Sequence, residues 1–180
     1  MKKPMLAAAA LLALAPAVHA DDLRIRTILT GYQEVPSVST VARGLLVVNS
    51  HPDGNAFDWQ LRYDGLQGTV QQAHIHFARR GVNGAIVVWL CGTGEPGTQF
   101  AGPAGTQTCP QSGVISGTAT IVDGPGSATQ QLTNGEAIRE VIAAMRVGAA
   151  YANVHTHLSP GGEIRGQIGG LGTVIGDHDH

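Results

Sequence analysis

Short runs in which apolar and polar residues alternate, closed by Gly, Pro, Asn or Asp, occupy most of the chain. Alternation at period two marks half-buried strands, and it predicts them at 23–29, 43–49, 56–63, 69–78, 85–91, 114–121, 151–157 and 162–168. The breaks carry turn chemistry, as in HPDGN at 51–55 and DGPGS at 123–127. Many short strands without interleaved helices predict an all-β sandwich rather than an α/β fold. One segment departs from the pattern. Residues 134–147 place Ile138, Val141, Ile142 and Met145 at helical spacing, with Thr133 or Asn134 as N-cap, Glu136 in the first turn and Gly148 as the stop, and predict one short helix.

Two of the predicted strands carry His-x-His. His74 and His76 lie in QQAHIHFA, and His155 and His157 in YANVHTHLSP. Side chains two apart on a strand share a face. In the first, Ala73, Ile75 and Phe77 oppose Gln72, His74 and His76; in the second, Ala152, Val154, Thr156 and Leu158 oppose Tyr151, Asn153, His155 and His157. The parity puts all four imidazoles on the outer, solvent side of a sheet whose inner face is core. If the two strands are neighbours, the rings come within about 5 Å of one another. Neutral imidazole suits copper, zinc, nickel and iron, and the Irving–Williams order favours Cu²⁺. The expectation is one copper ion, with zinc as the alternative, held by His74, His76, His155 and His157. A hydrogen-bonded surface cluster is the competing reading.

Residues 1–20 read as an export signal. Lys2 and Lys3 precede an apolar run from Met5 to Ala15, and Val18-His19-Ala20 has the small-residue pattern of a cleavage site. The apolar run is too short to span a membrane. The expectation is a periplasmic or secreted protein with one domain over 21–180, of which 171–180 is a flexible tail. His178 and His180 in that tail read as solvated. Without Lys2 and Lys3 the formal net charge falls from −2 to −4, and no lysine remains. That balance excludes a nucleic-acid footprint and a polybasic membrane surface.

Cys91 and Cys109 bracket GTGEPGTQFAGPAGTQT, a segment with almost no hydrophobic periodicity. In an oxidising compartment they read as a disulfide that closes this loop; the alternative is one cysteine as a soft copper ligand. Glu163 and Arg165 share a strand face. They read as an ion pair fixing the last strand or, with Asn153, as outer partners that orient the His rings. Trp59 and Trp89 fall in strand patterns and read as core. Arg79-Arg80-Gly81 and Asn83-Gly84 form a turn that could rim the site. Ser159 follows His157, but no nucleophile elbow accompanies it, and nothing else specifies an enzyme.

The runs LTGYQEVPSVSTVARG (29–44), YDGLQG (63–68), AHIHFARRGVNGAIVVWLC (73–91) and YANVHTHLSPGGEIRGQI (151–168) resemble the CHRD domain, first described in chordin and common in exported bacterial proteins. The resemblance implies an immunoglobulin-like β-sandwich or barrel and, from chordin, an extracellular interaction role as a metal-free alternative. Its motifs carry over His74, His76 and His155, whereas His157 is an addition, since the NVHT motif itself includes only the first His of the second pair. A looser similarity of arrangement, not of sequence, is to the copper site of copper-zinc superoxide dismutase, also a Greek-key β-sandwich, which implies a redox enzyme as a third reading. The zinc loop of that enzyme has no counterpart here, since residues 92–108 hold no His or Asp.

Overall fold

The computed structural model describes residues 23–94, 99–124, 126–133 and 135–170. The expected export signal, the tail with His178 and His180, and Asn134 lie outside these residues. Eight strands form one sheet: β1 (Arg24–Thr30), β2 (Arg43–Ser50), β3 (Phe57–Asp64), β4 (Val70–Phe77), β5 (Ala85–Gly92), β6 (Gly113–Ala119), β7 (Ala150–Thr156) and β8 (Ile164–Ile168). Their order is β5-β4-β7-β8-β1-β2-β3-β6, with every paired neighbour antiparallel. The all-β expectation holds, in its barrel form.

The edge strands β5 and β6 meet at a seam that is tied rather than paired. The disulfide Cys91–Cys109 links the end of β5 to the segment leading into β6. Gly92 N donates to Gln107 O at 3.0 Å, and Asp123 N to Val87 O at 3.0 Å. Gln107 Nε2 donates to Ser116 O on β6 at 3.0 Å. These bonds occupy edge groups that would otherwise invite another chain.

Inward-facing residues from all eight strands, among them Leu29, Leu46, Leu61, Ile75, Val88, Ile115, Val154 and Ile164, form one core. The helix α1 (Ala137–Arg146) adds Ile138, Val141, Ile142 and Met145 to it. It starts later than expected. Glu136 stands at the N-cap with no side-chain cap bond, so Thr133 does not cap it. Gly148 ends it as expected, in the left-handed region at φ 73°, where a side chain would be strained.

Burial along the strands separates two halves of the barrel. On β1, β2 and β3 buried residues alternate with less buried ones, so the outer face meets water. On β7 and β8 every residue is buried. The outer face there is roofed by chain that is not part of the sheet.

Candidate metal centre

The roof covers the imidazoles. β4 and β7 are antiparallel neighbours, with His74 opposite Asn153, His76 opposite Tyr151 and Gln72 opposite His155. The parity expectation is correct for the face, since His74, His76 and His155 stand on the outer side of the sheet. The expectation of a solvent side is not. Relative exposure is 0% for His74 and 6% for His76 and for His155.

Three connections enclose them. The β1–β2 connection supplies Glu34, itself buried. The β4–β5 turn supplies Gly84, whose carbonyl lies 3.0 Å from His76 Nδ1. The β7–β8 turn supplies Pro160, whose carbonyl lies 2.9 Å from His155 Nδ1. Gly162 lets this turn close against Glu34, because its φ of 123° is a conformation that side chains rarely adopt. The turn at 79–84 is thus a rim of the site, as its sequence suggested.

The carbonyl contacts fix tautomers. A carbonyl only accepts, so Nδ1 of His76 and of His155 carries the ring proton and Nε2 presents a lone pair. His155 Nε2 lies 3.3 Å from His74 Nδ1. Nε2 of His74 and Nε2 of His76 are buried with no hydrogen-bond partner. One nitrogen from each of the three rings lies within 4.8 Å of the others. Ligand nitrogens on one tetrahedral ion with bonds of about 2.0–2.1 Å stand about 3.3 Å apart, so small side-chain rotations bring all three into one shell.

Burial also sets the charge. Desolvation, with repulsion from His155 and His76, holds His74 well below its ordinary pKa. Desolvation pulls His76 down to about 4 against a raising bond from Gly84. His155 is lowered by desolvation, opposed by its bond to Pro160. All three rings are neutral at neutral pH, the form that binds metal.

Aromatic rings hold two of the imidazoles. Trp89, opposite His74 on β5, meets it edge-on with centroids 4.2 Å apart. Trp89 is therefore on the site face and not in the core, unlike Trp59. A register shift in the β4–β5 pairing between Ala73 and His74, and another between Ile75 and His76, accompany this packing. Tyr151 stacks on His76 and carries Arg165 over its ring.

Several expected site residues fall elsewhere. His157 is exposed and outside the cluster. β7 ends at Thr156, and Ser159 N donates back to Thr156 O at 3.1 Å, so the period-two relation to His155 is lost at the turn. His157 Nδ1 instead accepts from Thr69 N at 2.8 Å. Glu163 and Arg165 form no ion pair with each other. The Glu163 carboxylate accepts from Thr40 Oγ1 and Gln67 N, both at 2.8 Å, and from Thr156 Oγ1 at 2.9 Å, so it binds loops and touches no imidazole. Those bonds outweigh desolvation, and its pKa is lowered. Arg165 donates to Asn83 Oδ1 at 3.0 Å and Val82 O at 2.7 Å, and makes its ring contact with Tyr151 rather than with His76. Asn153 does reach an imidazole of the cluster, with Oδ1 2.9 Å from His155 Nε2. The two cysteines are bonded to each other, which removes the reading of either as a ligand.

Glu34 escaped the sequence reading, although it lies within the motif LTGYQEVPSVSTVARG. Burial raises its pKa to about 7, against the lowering charge of Arg165. A carboxylate in a polar loop gives no sequence signal of burial.

A family model described as the CHRD domain matches residues 25–168. That span contains β1 from its second residue, the other seven strands whole and every residue of the cluster. No curated protein matches the chain, and no solved structure does.

Proposed function

The chain belongs to the CHRD domain family, and we propose that this member is an exported protein that holds one copper ion through His74, His76 and His155. The observation that carries the reading is the pair of buried, partnerless Nε2 atoms on His74 and His76, beside a third neutral imidazole. Leaving such nitrogens without a partner costs about 1–3 kcal/mol each, and a bound ion removes that cost. The Nδ1–H bonds of His76 and His155 to backbone carbonyls add the outer support that metal-ligating histidines ordinarily have.

Three nitrogen donors with no thiolate or carboxylate among them favour Cu²⁺ over other divalent ions by the Irving–Williams order, with zinc next. Enclosure under three connections suits retention of an ion better than turnover of a substrate, which supports periplasmic or extracellular copper binding and tolerance over a redox enzyme.

The test is metal analysis and paramagnetic resonance on chelator-stripped protein after addition of Cu²⁺ or Zn²⁺. One equivalent of Cu²⁺ with a nitrogen-rich signal, lost in His74→Ala plus His155→Ala, is the expected result. No stoichiometric binding, or binding that survives the double substitution, refutes the site. A dismutase assay on the loaded protein separates binding from redox catalysis.

A metal-free interaction module is the second reading. The exposed Ile28, Tyr32 and Val41, all on β1 or the β1–β2 connection, support it.

A further inference from the structure

We propose that the side-chain oxygen of Asn153, and not His157, is the fourth donor of the metal centre, so that the ion sits among three imidazoles and one neutral oxygen. This rests on the metal-binding reading above and completes its ligand set. Asn153 is 2% exposed, lies opposite His74 in the β4–β7 register and precedes His155 by two residues on the same face. It therefore projects into the space that the three rings border.

The spacing is that of a coordination shell. Asn153 Oδ1 stands 2.9 Å from His155 Nε2, and one nitrogen from each of the three rings lies within 4.8 Å of the others. Neighbouring donors on one ion with bonds of about 2.0–2.2 Å are separated by about 3 Å. The protonation pattern points the same way. The Pro160 carbonyl takes the proton of His155 Nδ1, so Nε2 and Asn153 Oδ1 face each other as two lone-pair atoms. A cation held by both turns that repulsion into two bonds. His157 cannot reach the site, since its ring is held to Thr69 beyond the end of β7.

The test compares wild type, Asn153→Ala and Asn153→Asp, each stripped and then titrated with Cu²⁺ against a competing chelator, with paramagnetic resonance on the loaded forms. Asn153→Ala is expected to lose more than about tenfold in affinity, the smallest loss typical of an outer-shell partner, and to give altered spectral parameters. Asn153→Asp is expected to unfold at lower temperature than wild type when metal-free, because it buries a carboxylate, and to recover or exceed wild-type affinity and melting temperature with Cu²⁺. A spectrum of Asn153→Ala that superimposes on wild type, or an Asn153→Asp protein that Cu²⁺ does not restore, overturns the assignment and leaves the three-histidine site standing. Failure of the wild type itself to bind one equivalent brings down both.

Discussion

The His76 imidazole lies flat on the Tyr151 ring, with 4.5 Å between centroids and 1° between planes. Strand order makes this a three-layer stack. β7 lies between β4 and β8, so Tyr151 has His76 on one side and Arg165 on the other, the guanidinium carbon 3.3 Å from the ring centroid. Arg165 is in turn held by Val82 and Asn83 of the β4–β5 turn, whose Gly84 carbonyl fixes the His76 tautomer. One continuous set of contacts thus sets the position and the protonation of a single ring.

Breaking that stack loosens the ring before it breaks the fold. Tyr151→Leu removes an aromatic pair and a cation–π contact, together about 1–3 kcal/mol. Copper affinity is expected to fall by about 10–100-fold, as for outer partners of a metal ligand. Chelator competition and thermal melting measure the two effects, and an unchanged affinity would show that Tyr151 is packing alone.

Stability of the stripped protein depends on pH through two opposing groups. His76 titrates near 4 in the fold against 6.5 when free. Between those values the unfolded chain holds a proton that the native state lacks, so stability rises with pH there, by about 3 kcal/mol in all. The lowered His74 and His155 add in the same direction. Glu34, at about 7 against 4.5, does the reverse: the native state keeps a proton that the unfolded chain releases, and stability falls as pH rises across that window. Glu34→Gln is expected to steepen the gain from pH 4.5 to 6.5 and to abolish any decline up to 7. Urea midpoints through this range, in chelator, check it; parallel profiles for the two proteins would refute the role of Glu34.

Glu163 is expected to matter for stability and not for the metal. Its carboxylate accepts two hydroxyls and the amides of Gln67 and Gly68, joining the β1–β2 and β3–β4 connections to the end of β7. Glu163→Gln turns one acceptor into a donor facing donors, at a cost of about 2–4 kcal/mol. The copper signal of the loaded variant is expected to match wild type, and a shifted signal would place Glu163 in the site after all.

Loss of the Cys91–Cys109 bridge frees a loop of separation 18 at the barrel seam. The double substitution to Ala is expected to lower stability by about 3 kcal/mol through loop entropy. Denaturant midpoints measure it, and an equal midpoint for both proteins would show that the seam hydrogen bonds alone hold the loop.

The strands, the helix and the disulfide were readable because each is a local pattern. Alternation of Ile25, Thr27 and Leu29 with Arg24, Arg26 and Ile28 names a strand and its inner face, and Gly148 names a helix end. The sequence by itself also determined which face the imidazoles take, since parity along β4 and β7 depends only on counting residues. What it left undecided was what lies above that face. Burial of His74, the exclusion of His157 and the approach of Glu34 and Asn153 depend on three connections folding over the sheet, and no period in a sequence records where a loop returns. His157 shares parity with His155 on paper, but a turn that begins at Thr156 cancels it. Long-range packing alone decided that three histidines, and not four, stand together, two of them with Nε2 unpartnered, because the neighbours that supply or withhold hydrogen bonds come from segments up to about 80 residues away.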